Sequence, residues 1–327
     1  VAIGSRGRAR QRGVALITVL LVFALATVIA AEMLRRSQLG VRSFGNLMAT
    51  RQAYYYALGG EAFARQLLTQ DVLDGLGSVD HLQEPWARMG EQPAFEIEHG
   101  TMSVAVTDLQ GRFDLNSVID NSGAVNQQGF GQFQRLLAEL RLNANYASEW
   151  LDWIDDDQQA SANGAEDAEY SGNRTADRPE SDISALRQLR SMKPEDYERL
   201  ARHVAVLPKL MPSAQGQPVP VVAPLNANTA DAATLRAILG QAVAAQVLAK
   251  QKSGGYKNTA DVPSGGTGQA DVKSGFYEIR VTVNYDNRWQ RLRTMVWRDS
   301  HSGATTVLSR ARSPLSDDDS DDRSEQP

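Results

Sequence analysis

Cysteine is absent from the 327-residue chain. That removes thiol nucleophiles, disulfide staples and cysteine-rich zinc sites. A domain of this size does without disulfides in any compartment, so the absence says nothing of where the chain resides. Histidine is scarce: His81, His99, His203 and His301 are scattered, without metal-ligand spacing. No proline occurs from Val14 to Glu84, so nothing there breaks a helix, and no charge interrupts Val14 to Ala31. The net charge of −5 argues against broad nucleic-acid binding. No nucleophile, Gly-rich phosphate loop or substrate motif stands beside the acidic residues, and the chain reads as non-enzymatic.

What is present begins at the N-terminus. Arg6, Arg8, Arg10 and Arg12 precede Gly13, and the apolar run Val14–Ala31 follows. As a helix the run spans roughly 27 Å, close to the hydrocarbon core of a bilayer. The arginines favour a cytoplasmic N-terminus, which puts the rest of the chain outside the inner membrane. Three readings compete. A cleaved secretory signal would use Ala24-Leu25-Ala26 or Ala30-Ala31. A plain signal anchor would not be cut. A type IV prepilin-like leader would be cut after Gly13, leaving Val14 as the new N-terminus on a retained helix. The third is favoured by the glycine at the basic–apolar boundary and by helical periodicity past the bilayer, through Met33, Leu34, Val41, Phe44, Leu47, Met48, Tyr55, Leu58 and Ala62. Gly40, Gly45 and Gly59-Gly60 weaken that helix, and a break near Gly40 is the alternative.

Further along, strands are expected at Ala94–Glu98 and Met102–Val106, joined through His99-Gly100, and again at Phe276–Tyr285 and Trp289–Trp297, with a short edge strand at Thr305–Leu308. Between them the periodicity is helical: a helix through Phe130 to Leu140, then Tyr146–Ile154, Ile183–Met192, Pro194–Val204, Asn228–Leu239 and Ala242–Lys252. Pro208–Pro224 carries five prolines and reads as a stiff linker. The fold class is α+β: a leader over 1–13, a long helix over 14–75 with its transmembrane part at 14–31, a sheet domain from 76–115 and 274–310, an inserted all-helical domain over 116–273, and a disordered acidic tail over 311–327.

Between Asp152 and Glu169 stand seven carboxylates, Asp152, Asp155, Asp156, Asp157, Glu166, Asp167 and Glu169, with no basic residue among them. Such a density of like charge is relieved by a cation or by water. Gly164 allows the turn that brings Glu166 and Asp167 back towards Asp155 and Asp157. Calcium, with six to eight oxygen ligands in flexible geometry, suits such a loop, although it does not match an EF-hand. A solvated acidic loop is the other reading. Residues 232–261 look like a helix-hairpin-helix unit, but Leu239-Gly240-Gln241 lacks a second glycine, and a packing role is favoured over DNA. Trp150, Trp153, Trp289 and Trp297 read as core or interface aromatics.

The leader RGVALITVLL, the segment GRFDLNS, the run WLDWIDDD followed by GAEDAEY, and LNANTADAATL together point to a family. Up to about Arg298 the chain resembles the general secretion pathway protein K family, minor pseudopilins of type II secretion systems. The resemblance implies a pilin-like sheet domain and removal of the leader by the inner-membrane prepilin peptidase between Gly13 and Val14, with methylation of Val14. It implies assembly with other minor pseudopilins and the major pseudopilin, at the tip of a periplasmic pseudopilus that helps push folded proteins through the secretin. Most pilins carry glutamate at mature position five, thought to pair with the N-terminal amine of the subunit above; here that position is Thr18, as the resemblance to a tip subunit with nothing above it leads one to expect, the other reading being an ordinary helix residue of an anchor. Ala15, Ala24, Ala26 and Ala30 would allow close helix packing. The family is known for calcium in its helical domain, which implies Asp155, Asp157, Glu166 and Asp167 as ligands, with Asn163 or a carbonyl near Tyr170 completing the shell. The rivals are an unprocessed bitopic scaffold, a minor pilin of a surface or DNA-uptake pilus, and a calcium-dependent periplasmic enzyme.

Overall fold

A computed structural model describes residues 11–75, 79–170, 172, 174–212, 217–263 and 268–314. Arg6, Arg8 and Arg10 of the basic patch, and the acidic tail after Pro314, lie outside the described residues.

Helix α1 runs without interruption over Gln11–Leu73, 63 residues. At 1.5 Å per residue it is roughly 95 Å long. No break occurs at Gly40 or Gly45, because the helix ladder needs no side chain at either position and both face open space. The helix changes character along its length. All of Val14–Ala31 is exposed. From Ala49 onward one face, carrying Ala53, Ala57, Ala64 and Leu68, is buried on a sheet. Small residues let the helix lie close. At Gly60 a Cβ would stand 2.8 Å from Val281 Cγ1 and 3.0 Å from Met102 Sδ.

The sheet has five antiparallel strands in the order β1 (Phe95–Ile97), β2 (Gly100–Asp108), β3 (Phe276–Tyr285), β4 (Arg288–Arg298) and β5 (Thr305–Pro314). Residue alternation sends Val104, Val106, Ile279, Val281, Val283, Leu292 and Val296 towards α1. The β3–β4 hairpin turns on Asp286 and Asn287, both at positive φ (47° and 62°), as the two-residue loop between such strands demands. Strand β5 is longer than the expected Thr305–Leu308 and takes in Ala311–Pro314 from the tail expected to be disordered. Arg310 and Arg312 are exposed, yet both reach α1: Arg310 pairs with buried Glu61 at 2.7 Å and Arg312 covers the Tyr54 ring.

Between β2 and β3 the chain leaves to build a second core. Its helices are α2 (Gln127–Glu139), α3 (Asn145–Ile154), α4 (Pro194–Ala201), α5 (Ala232–Leu239) and α6 (Gln241–Gln251). Asn126 caps α2 and Asp231 caps α5 through side-chain oxygens. This region is not wholly helical. The expected helix Ile183–Met192 is a 3-10 turn over Ile183–Gln188. Two-residue ladders tie Phe113–Asp114 to Val204–Ala205, Leu210–Met211 to Val219–Pro220 inside the proline-rich stretch, and Leu225–Asn226 to Ala270–Asp271. The two cores meet at a buried polar junction. Asp108 Oδ2, at the end of β2, accepts from Asn226 Nδ2 (3.0 Å), Thr229 Oγ1 (2.6 Å) and Ser274 Oγ (2.6 Å).

Candidate metal centre and membrane-length helix

Helix α3 buries Trp150 and Trp153 because both occupy its inner face. Trp150 Nε1 donates to Leu115 O at 2.9 Å, and Trp153 Nε1 to Glu180 Oε1 at 2.9 Å. The chain turns extended at Asp155, which ends the helix, and returns so that Ala176 N–H donates to Trp153 O. Asn116 fastens the returning strand: its amide donates to Glu180 O and Leu207 O and its oxygen accepts from Glu180 N–H. The segments GRFDLNS and WLDWIDDD are thus the scaffold of the acidic loop.

Within that scaffold Asp155, Asp157 and Glu166 each place a carboxylate oxygen within 4.8 Å of the other two. Asp155 and Glu166 are buried, and Asp157 is exposed. Asp155 Oδ1 and both oxygens of Glu166 have no hydrogen-bond partner. Buried Asp152 packs behind them; its Oδ2 accepts from Ser161 N–H at 2.9 Å, and a Cβ at Gly164 would fall 1.8 Å from that oxygen. Only glycine fits there. Burial first, then the charges of Asp157 and Asp152, push the Asp155 carboxyl up to about 7. Burial, then Asp152 and Asp155, push Glu166 to about 8. Buried, partnerless acceptors crowded by like charge are the donor set of a hard cation with oxygen ligands.

Asp167 stands apart from this trio. Its Oδ1 accepts from Thr175 N–H at 2.8 Å and Thr175 Oγ1 at 2.9 Å, which hold its carboxyl below the usual aspartate range. The structure therefore brings together three of the four expected ligands and uses the fourth as a staple of the loop. Asp177, outside the expected set, bears electrostatically on both Asp155 and Glu166 and lies too far along the chain to be read from sequence. Glu149, one turn before Asp152 on α3, is also buried with Oε1 unpartnered.

On α1, Gly13 and Val14 fall inside the helix near its start. Thr18 Oγ1 donates back to Ala15 O at 2.9 Å. Ala24, Ala26 and Ala30 are exposed with the rest of the apolar segment. Among the described residues one helix, this one, is long and apolar enough to cross a membrane. The helix-hairpin-helix segment packs inward: Arg135 Nε on α2 donates to Ala237 O at 2.7 Å, and Arg236 on α5 pairs with Glu139 at 2.6 Å.

A membrane-length N-terminal helix laid on an antiparallel sheet, with a second core inserted between two strands, defines a pilin-like subunit. Residues 111–209 match the family described as type II secretion system (T2SS), protein K. Type II secretion system protein K of Pseudomonas aeruginosa is 38% identical over 71% of this chain and 69% of that protein; the Aeromonas hydrophila protein of the same name is 31% identical over 88% and 92%. The chain belongs to the type II secretion system protein K family. Its fold is similar to a chain in the crystal structure of the GspK-GspI-GspJ complex from the enterotoxigenic Escherichia coli type 2 secretion system, with TM-score 0.65 and 20% identity over 82% of this chain and 98% of that one.

Proposed function

We propose that this chain is the minor pseudopilin that caps and helps initiate a periplasmic pseudopilus for the export of folded proteins across the outer membrane, assembled there with other minor pseudopilins above the major pseudopilin. The observation that carries the reading is α1. It is one helix whose first part is wholly exposed and apolar and whose later part is welded to the sheet by Ala53, Ala57, Gly60 and Ala64. Such a helix anchors a subunit in the inner membrane before assembly and packs against other subunits' helices afterwards. The basic residues before it keep the N-terminus cytoplasmic and the two cores periplasmic. Prepilin peptidase cuts between Gly13 and Val14, and Val14 is methylated. Thr18 in place of an acid, and the bulk of the second core, suit a subunit with none above it.

In this reading Asp155, Asp157 and Glu166 hold a calcium ion, with Asp167 keeping the loop closed around them. The ion's charge offsets carboxylates that burial otherwise penalises, and its role is structural. The protein has no catalytic task; its work is assembly. Co-expression with the other minor pseudopilins of the same secretion system tests this. Co-purification of the full chain with them from detergent-solubilised membranes is expected. Recovery of the chain alone, with secretion unimpaired when its gene is deleted, would contradict it.

A further inference from the structure

The last turn of α1 enters a second buried acidic group, separate from the loop at 155–170. Asp71 of α1, and Asp80 and Glu84 of the segment after it, are buried and each place one carboxylate oxygen within 4.8 Å of the others. The charged and titratable groups facing them are Arg298 of β4, Tyr277 of β3, His81 and, beyond Asp80, buried Asp108 of β2. Arg298 spans two of the acids, with Nη1 2.9 Å from Asp71 Oδ2 and Nη2 2.5 Å from Asp80 Oδ1. Asp80 takes two further donors, Tyr277 OH on Oδ1 (2.7 Å) and Ser274 N–H on Oδ2 (2.7 Å). Glu84 Oε2 accepts from Trp86 Nε1 (2.6 Å) and His81 N–H (3.2 Å). Two oxygens are left over. Asp71 Oδ1 is buried with no partner, and Glu84 Oε1 has His81 Nε2 at 3.8 Å.

A metal ion fits this group poorly. Asp80 already takes three donors, and the ion would sit beside the Arg298 guanidinium. A proton fits it well. We propose that Asp71 and Glu84 share one proton at neutral pH, carried on Glu84 and directed at Asp71 Oδ1, and that this hydrogen bond latches the end of α1 to the segment leading into the sheet. The proton supplies the donor that Asp71 Oδ1 lacks and lowers the buried negative charge. Burial, then the charge of Asp71, pushes Glu84 up to about 8, and burial raises Asp71 as well. Because the folded value lies above the unfolded one, the latch's contribution to stability is full below about 4.3 and is lost as pH rises through about 8, when two like charges face each other in the interior.

The test uses the full chain in detergent, with chelator, and glutamate labelled with 13C at the carboxyl. The Glu84 resonance is identified by its loss in Glu84→Gln. A titration midpoint near 8 is expected; a midpoint in the ordinary glutamate range, about 4.3, would overturn the proposal. Asp71→Asn gives a second reading: the Glu84 midpoint falls if the two share a proton, and an unchanged midpoint refutes the pairing. In thermal melts Glu84→Gln, whose amide donates without a proton to lose, should match the wild type at pH 6 and exceed it at pH 9. Equal loss at both pH values would count against the latch. If instead calcium ions raise the melting temperature through this group, an effect that Glu84→Gln removes and Asp155→Asn leaves, the group holds a cation and the proposal fails.

Discussion

Glu166 and Asp167 are neighbours in sequence and opposites in surroundings. Glu166 buries two oxygens with no donor, while Asp167 is held by both groups of Thr175. Replacing each therefore separates ion binding from loop closure. In wild type, calcium at one hundred times its dissociation constant should stabilise the chain by about 2.7 kcal/mol. Glu166→Gln should abolish most of that gain, whereas Asp167→Asn should cost about 1 kcal/mol with or without calcium and leave the gain intact; calcium-dependent melting curves of the two variants check this. Without a bound ion the loop carries a pH dependence of its own. Asp155 and Glu166 are raised to about 7 and about 8 in the folded chain, so protons favour folding. In chelator, that contribution is full below about 4 and is lost as pH rises through 7 to 8; saturating calcium should flatten the profile in melts recorded from pH 5 to 9. The density of carboxylates made this loop legible from sequence. What composition did not reveal was the division of labour, because Thr175, eight residues on, decides the partner of Asp167, and Asp177 approaches only after the chain has folded back.

At the scale of elements, patterns with a strong period were readable: the apolar run and later stripe of α1, and the alternation in β2, β3 and β4. Elements defined by their neighbours were not. Strand β5 runs on past Leu308 through Arg310 and Arg312, exposed residues that give no apolar alternation; their partners, buried Glu61 and the Tyr54 ring, lie far away in sequence on α1. The two-residue ladders carry no local signal at all. The paired glycines of α1 show how packing overrides propensity. Gly60 faces the sheet, with Val281 Cγ1 2.8 Å from where a Cβ would sit, while Gly59 faces open space. Gly60→Ala should destabilise by about 1–3 kcal/mol through overpacking, and Gly59→Ala should stabilise by about 0.5–1 kcal/mol through helix propensity. Denaturant melts of the two variants test the pair. The motif at 225–235 belongs to the same scale. Asn226→Ala would strip a donor from buried Asp108, and a loss of about 2 kcal/mol is expected from the same melts.

For the whole molecule, in the proposed role, one helix would belong to two environments in turn, the bilayer and then a filament, joined to a sheet and a second core on the periplasmic side. The sheet and α1 share one core and the inserted helices share another, with the Asp108–Asn226–Ser274 junction between them. The proposed anchoring of the subunit and the later packing of α1 both depend on the apolar segment being kept in the mature protein. The most direct measurement is the N-terminus of the membrane-bound product, made with and without prepilin peptidase. A start at Val14 that requires the peptidase, and that Gly13→Trp abolishes together with secretion, is the predicted result. A product beginning near Ala26 or Ala31, or an uncut chain that still supports secretion, would contradict it.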